Sequence, residues 1–193
     1  MRSLLVVVDM VNGFVNEGAL ADKKINKITP NIIKCIEKAK QKGIDIVAFK
    51  DCHSMEDEEF QHFPPHCLKG TNESKLIPEL LPYQEDMCII NKNTTNGFNT
   101  KMFGFIADTF DYDKVYVVGC CTDICVQAFV SSYLRYIKEN NKQTEIIVYE
   151  DACYTFDGEK HNAQKCHERA IAEMEEIGAT IKSVDNHNKN IEV

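Results

Sequence analysis

The chain lacks any apolar run long enough to cross a membrane. Its opening segment holds five consecutive apolar residues, Leu4 to Val8, before Asp9 interrupts them. That is too short for the hydrophobic stretch of a secretory leader and far short of the ~20 residues a helical span needs. Basic side chains are also in the minority, 22 Lys and Arg against 30 Asp and Glu for a net charge of −8, and they form no long stripe. Nucleic acid is therefore excluded as a main partner. No internal repeat, low-complexity segment or linker breaks the sequence, so one domain over residues 1–193 is expected, with a flexible polar tail at 185–193.

Cysteine, by contrast, is abundant. There are nine, an odd number, at positions 35, 52, 67, 88, 120, 121, 125, 153 and 166. Spread through strand-like and helix-like patterns with no leader, they read as reduced thiols of a cytoplasmic protein, most of them small core residues. With 193 residues, 44% of them hydrophobic, the chain can build a core that needs no disulfide staple.

Continuous apolar runs predict strands over residues 4–8, 44–49, 87–91, 114–118, 145–149 and 179–184. Between them, amphipathic spacing predicts a helix after Thr29-Pro30, read as N-cap and first helical residue and ended by Gly43, then helices over 100–109, from the Gly119 break to about 138, and over 159–177. Residues 10–28 and 50–75 read as loops, the second crowded with His, Asp and Glu. Alternating strands and helices predict an α/β three-layer domain with a mainly parallel sheet, whose ligands bind beyond the carboxyl ends of the strands.

Three chemically useful residues fall at those ends: Asp9 after the first strand, Lys92 after the third and Cys125 just beyond the fourth. A thiol one turn into a helix sees the positive end of the macrodipole, which favours thiolate. Lys92 can stabilise that thiolate, and Asp9 can take the thiol proton and return it to a leaving amine. The turn through Cys120 and Cys121 offers backbone N–H groups for a tetrahedral oxyanion. Together these describe an amidase working through a thioester.

A second constellation lies in the long loop, where Asp51-Cys52-His53 is followed by Glu59 and Phe63-Pro64-Pro65-His66. Two imidazoles and two carboxylates can surround one divalent cation, with Zn the first choice and Fe or Mn the alternatives. Asp51 and His53, two apart at a strand end, can point the same way, and the prolines stiffen the approach to His66.

Assembled in this order, these residues resemble the nicotinamidases of the isochorismatase-like cysteine hydrolases. The resemblance is carried by Leu5-Val6-Val7-Val8-Asp9, Asp51-x-His53, Phe63-Pro64-Pro65-His66, Lys92 and Gly119-Cys-Cys-Thr-Asp-Ile-Cys125-Val. It implies a triad of Asp9, Lys92 and Cys125, a cis peptide before Cys121, and an oxyanion hole from the N–H groups of Cys121 and Cys125. It also implies a metal held by Asp51, His53 and His66 with waters completing the shell, and Glu59 at a ligand position that varies among members. The pyridine nitrogen of the substrate would bind that metal while the carboxamide sits at the thiol. Phe14, Phe63 and Phe98 are candidates to sandwich the flat ring.

The chain departs from the family pattern in its first motif, where the amide that usually follows the acid by two residues is displaced to Asn12. The function expected is hydrolysis of nicotinamide to nicotinate and ammonia, by an enzyme whose only partner is a small amide and whose homo-oligomeric state is open. Another amidohydrolase of the same superfamily is the near alternative. A non-catalytic thiol redox or metal-binding protein is the alternative of a different class.

Overall fold

The computed structural model describes residues 2–184. The six expected strands form one sheet: β1 (Ser3–Val8), β2 (Asp45–Asp51), β3 (Cys88–Lys92), β4 (Lys114–Cys120), β5 (Glu145–Tyr154) and β6 (Thr180–Lys182). They lie in the order β3-β2-β1-β4-β5-β6, and every pairing is parallel.

The apolar run of β1 is covered on both faces, as a central parallel strand requires. Leu4, Val6 and Val8 alternate into one core with Phe49, Val117 and Phe129, and Leu5 and Val7 into the other with Ile32 and Ile36. Each large apolar side chain so buried contributes about 1.5–3 kcal/mol. Helix α2 (Thr29–Lys42) covers one face, while α3 (Lys101–Thr109), α4 (Gln127–Glu139) and α5 (Ala163–Glu176) contribute Phe103, Phe129, Tyr133 and Met174 to the other. The result is the expected three-layer α/β/α arrangement.

Local chemistry explains where the boundaries fall. Gly43 stops α2 in a left-handed conformation, φ +62°. Thr29 is not the N-cap expected for that helix. It lies inside the first turn and its hydroxyl donates to Asn26 Oδ1 at 2.7 Å, because a 3₁₀ helix over Lys23–Ile28 runs straight into α2. The region 10–28 is thus not an open loop, since it also holds the short helix α1 (Asn12–Val15). Helix α5 starts four residues later than expected, at Ala163, where Asn162 Oδ1 accepts the Lys165 N–H as a true N-cap. The tail expected at 185–193 lies outside the described residues.

The strand order reverses between β1 and β4, which opens a crevice at their carboxyl ends, the usual ligand position of such sheets. β1, β2, β3 and β4 end at Val8, Asp51, Lys92 and Cys120, so all the expected site residues except those on the long loop hang from this one edge.

Candidate active site

Asp9 follows β1 in the left-handed region, φ +49°. Its N–H donates to the Phe49 carbonyl at 3.1 Å, and its own carbonyl accepts from the Val11 N–H at 2.8 Å and the Cys120 thiol at 3.2 Å. Next to it, Gly119 has φ +121°, and a Cβ there would collide with the Val8 carbonyl oxygen. Only glycine lets β4 pass this close to β1. The Cys120–Cys121 peptide is cis, and the chain then enters a π-helical turn, Thr122–Val126, that leads into α4. The turn opens with bonds from the Ile124 and Val126 N–H groups to the Cys121 carbonyl, and Cys125 lies between them at this helix start.

Lys92 lies at the centre. Its Nζ is 2.8 Å from Asp9 Oδ2, donates to Asp51 Oδ1 at 2.8 Å and stands 4.0 Å from Cys125 Sγ. All four side chains are sealed from solvent or nearly so. Burial opposes the charge on Lys92, but Asp9, Cys125 and Asp51 outweigh it and hold the ammonium well above its usual range. Burial pushes Asp9 up to about 6, against the pull of Lys92 and with the push of Asp51. Nζ approaches Asp9 off the hydrogen-bond direction, so both Asp9 oxygens lack an aligned donor among the described residues. A buried carboxylate with free lone pairs is built to accept a proton.

Transfer of the Cys125 proton to Asp9 presupposes a resting thiol. Burial raises that thiol well above its ordinary value, Lys92 offsets this only in part, and the nearby acids add to the rise. The resting pair is a neutral thiol beside a basic carboxylate.

Asp51, His53 and His66 converge, with ligand atoms within 4.8 Å of one another. Both imidazole Nε2 atoms face Asp51 Oδ2, at 3.0 and 3.1 Å. His66 Nδ1 lies 2.8 Å from the Pro64 carbonyl, which can only accept, so the hydrogen sits on Nδ1 and Nε2 presents a lone pair. His53 Nδ1 is held in the same way by Asp57 Oδ2 at 3.0 Å. In their neutral forms the two imidazoles aim nitrogen lone pairs, beside a carboxylate oxygen, at one place, an arrangement that protonation of the rings or a bound cation reconciles. Burial opposes charge on these imidazoles, yet Asp51 outweighs it and raises both. Burial would likewise raise Asp51, but Lys92 and the two imidazoles hold it well below the usual carboxylate range. The donor set and the carboxylate and carbonyl behind it fit a divalent ion such as Zn²⁺. Glu59 stands outside this cluster, facing the Thr95 hydroxyl at 3.5 Å, and lines the same cavity.

That cavity, of about 330 Å³, is lined by Lys92, Cys121 and Cys125 together with Asp51 and His66. Phe14 and Phe63 line it as expected, with the Phe14 ring 5.6 Å from that of His66. Phe98 does not. It is half-buried and packs with Phe103, Phe129, Tyr133 and Tyr136 at the margin of the core. The walls that sequence reasoning missed are Leu20, Ile124 and Phe156, and Phe60 behind the imidazoles. None carries a spacing signal that separates a wall from a core residue. Asn12, the displaced amide, serves the loop: its Nδ2 donates to the Asn72 carbonyl and its Oδ1 accepts from Asn16.

An acid, an ammonium and a thiol over one cavity at the switch point of a parallel sheet form the site of an α/β hydrolase. The chain belongs to the isochorismatase-domain family, whose model matches residues 3–186. It is 33% identical over 177 residues to Nicotinamidase 1 of Arabidopsis thaliana, which covers 83% of this chain and 72% of that protein. Among solved structures it is similar to the pyrazinamidase of Pyrococcus horikoshii in complex with zinc, at 28% identity and TM-score 0.79 over 95% of this chain and 99% of that one. It is also similar to the N-carbamoylsarcosine amidase of Thermoplasma acidophilum, at 29% identity and TM-score 0.79 over 96% and 98%. The chain is thus a nicotinamidase- and pyrazinamidase-like hydrolase acting on amide bonds. Among its described residues no helix is long and apolar enough to cross a membrane.

Proposed function

We propose that the protein is a metal-dependent nicotinamidase, a cytoplasmic enzyme that converts nicotinamide and water to nicotinate and ammonia. The observation that carries this reading is the shared cavity, lined both by Cys125 and by Asp51 and His66 of the cluster that could hold a metal. A pyridine carboxamide has a reactive group and a ring nitrogen to match both.

The residues supply the steps in order. Phe14, Phe63 and Phe156 hold the flat ring. Cys125 Sγ attacks the carboxamide carbon as its proton passes to Asp9, whose value of about 6 suits a base at neutral pH. Lys92 stabilises the sulfur as it becomes anionic, and the N–H groups of Cys121 and Cys125 hold the oxyanion. Asp9 then gives the proton to the departing nitrogen and ammonia leaves a thioester. Asp9 next takes a proton from water as the water attacks the acyl carbon, and the Cys125 thiol is restored as nicotinate forms. When bound at Asp51, His53 and His66, a divalent ion supplies a Lewis-acid anchor for the ring nitrogen.

The likeness to an N-carbamoylsarcosine amidase supports a second reading, hydrolysis of a small linear amide. The aromatic walls favour the ring. A panel of nicotinamide, pyrazinamide, benzamide and an N-carbamoyl amino acid, each assayed with metal and after chelation, separates the two. Preference for nicotinamide over benzamide that collapses on chelation supports the first, and a preferred linear amide indifferent to chelation overturns it.

A further inference from the structure

Among the described residues a second group of ligating side chains converges outside the active cavity: Asp123, His161 and Cys166, with ligand atoms within 4.8 Å of one another. It shares no residue with the Asp51 cluster. Asp123 comes from the nucleophile turn, His161 from the loop between β5 and α5, and Cys166 from the first turn of α5.

Two features point to a missing cation. His161 Nδ1 lies 2.9 Å from the Phe156 carbonyl, which can only accept, so Nδ1 carries a hydrogen. Its Nε2 faces Asp123 Oδ2 at 2.6 Å, a contact that either a proton on Nε2 or a shared cation satisfies. The other Asp123 oxygen, Oδ1, is sealed from solvent with no donor, on a side chain only 7% exposed. A buried carboxylate oxygen left without a donor costs roughly 1–3 kcal/mol, which a bound ion removes. The third donor, Cys166, is half-buried in the first turn of α5 and forms no disulfide.

We propose that Asp123, His161 and Cys166 form a second site for a divalent ion of Zn²⁺ type, with water in the fourth position. One carboxylate oxygen, one imidazole nitrogen and one thiolate suit a borderline-soft ion that accepts tetrahedral geometry. Cys166 loses its proton to solvent as the metal–sulfur bond forms. The site is a clamp on the neighbouring cavity. The His161 ring is stacked on Phe156 at 4.0 Å, and Phe156 is a wall of that cavity, so an ion here ties the wall to the turn that carries Cys125. The inference does not depend on the amide substrate proposed above.

The test is titration of the metal-free full-length protein with Co²⁺ under anaerobic conditions. Wild type is expected to show a thiolate-to-Co²⁺ charge-transfer band that persists in Asp51→Asn and disappears in Cys166→Ser, with Co²⁺ binding in His161→Gln weakened at least about tenfold. A parallel Zn²⁺ titration followed by the His161 imidazole resonances of the wild type keeps the test independent of any variant, and a shift at Nε2 is expected. Retention of the band in Cys166→Ser, its loss in Asp51→Asn, or no movement of the His161 resonances overturns the proposal.

Discussion

Asp51 and Lys92 end neighbouring parallel strands at the same level of the sheet, and the Asp51 carboxylate accepts from the Lys92 ammonium at 2.8 Å. The other Asp51 oxygen faces the two imidazoles, and the same ammonium touches Asp9. One lysine therefore couples the acid beside the nucleophile to the acid of the metal cluster. Lys92→Met would leave two buried carboxylates without their cation. We expect a loss of about 3–5 kcal/mol of stability, measured by denaturant unfolding, and a loss of turnover. Added Zn²⁺ should recover part of the stability, because it compensates Asp51, and none of the turnover.

The titration of Asp9 sets the pH dependence. Its carboxylate form accepts the thiol proton, and burial places its value at about 6. The rate should therefore be present above pH 6 and fall about tenfold per unit below it. No rise in rate is expected across the ordinary cysteine range, since burial keeps the Cys125 thiol neutral there. Pre-steady-state rates from pH 4.5 to 9 check both limbs, and Asp9→Asn should abolish the acidic one together with activity.

Asp57 touches the metal cluster only through His53, whose Nδ1 it holds at 3.0 Å. Asp57→Ala should weaken metal binding by roughly 10- to 100-fold, as loss of an orienting partner does, without removing a ligand. Asp51→Asn and His66→Ala should lose far more. Competition with a chromophoric chelator measures all three, and equal affinity in Asp57→Ala and wild type would contradict the assignment.

Phe14 and Phe98 should separate cleanly. Phe98 is half-buried against four rings at the margin of the core, so Phe98→Ala is expected to cost about 1–3 kcal/mol of stability with little change in KM. Phe14 lines the cavity, so Phe14→Ala should raise KM for an aromatic amide more than for a small linear one.

The elements that the chain announces are those whose burial is two-sided or whose stops are chemical. The runs at Leu4–Val8 and Val115–Val118 could only be central strands, and Gly43 could only end a helix. Asp9, Lys92 and Cys125 were legible as a set because strand ends on one edge of a parallel sheet must meet. The bond between Asp51 and Lys92 was not, because it depends on the register of β2 against β3, which no local pattern encodes. Phe98 reads as a cavity wall and Phe156 is passed over for a similar reason, since an aromatic residue looks the same in sequence whether it faces a core or a cavity. The contact of Asp123 with His161 joins residues from separate elements, with no motif between them.

The central claim is that Cys125 turns over nicotinamide through a thioester. Its most direct test is ammonia and nicotinate release from nicotinamide by the Zn²⁺-loaded protein, with Cys125→Ala alongside. We predict equimolar ammonia and nicotinate from wild type, and a rate lower by about 10⁴-fold or more in Cys125→Ala with the fold intact. No ammonia from the loaded wild type, or equal release by the two proteins, would contradict it.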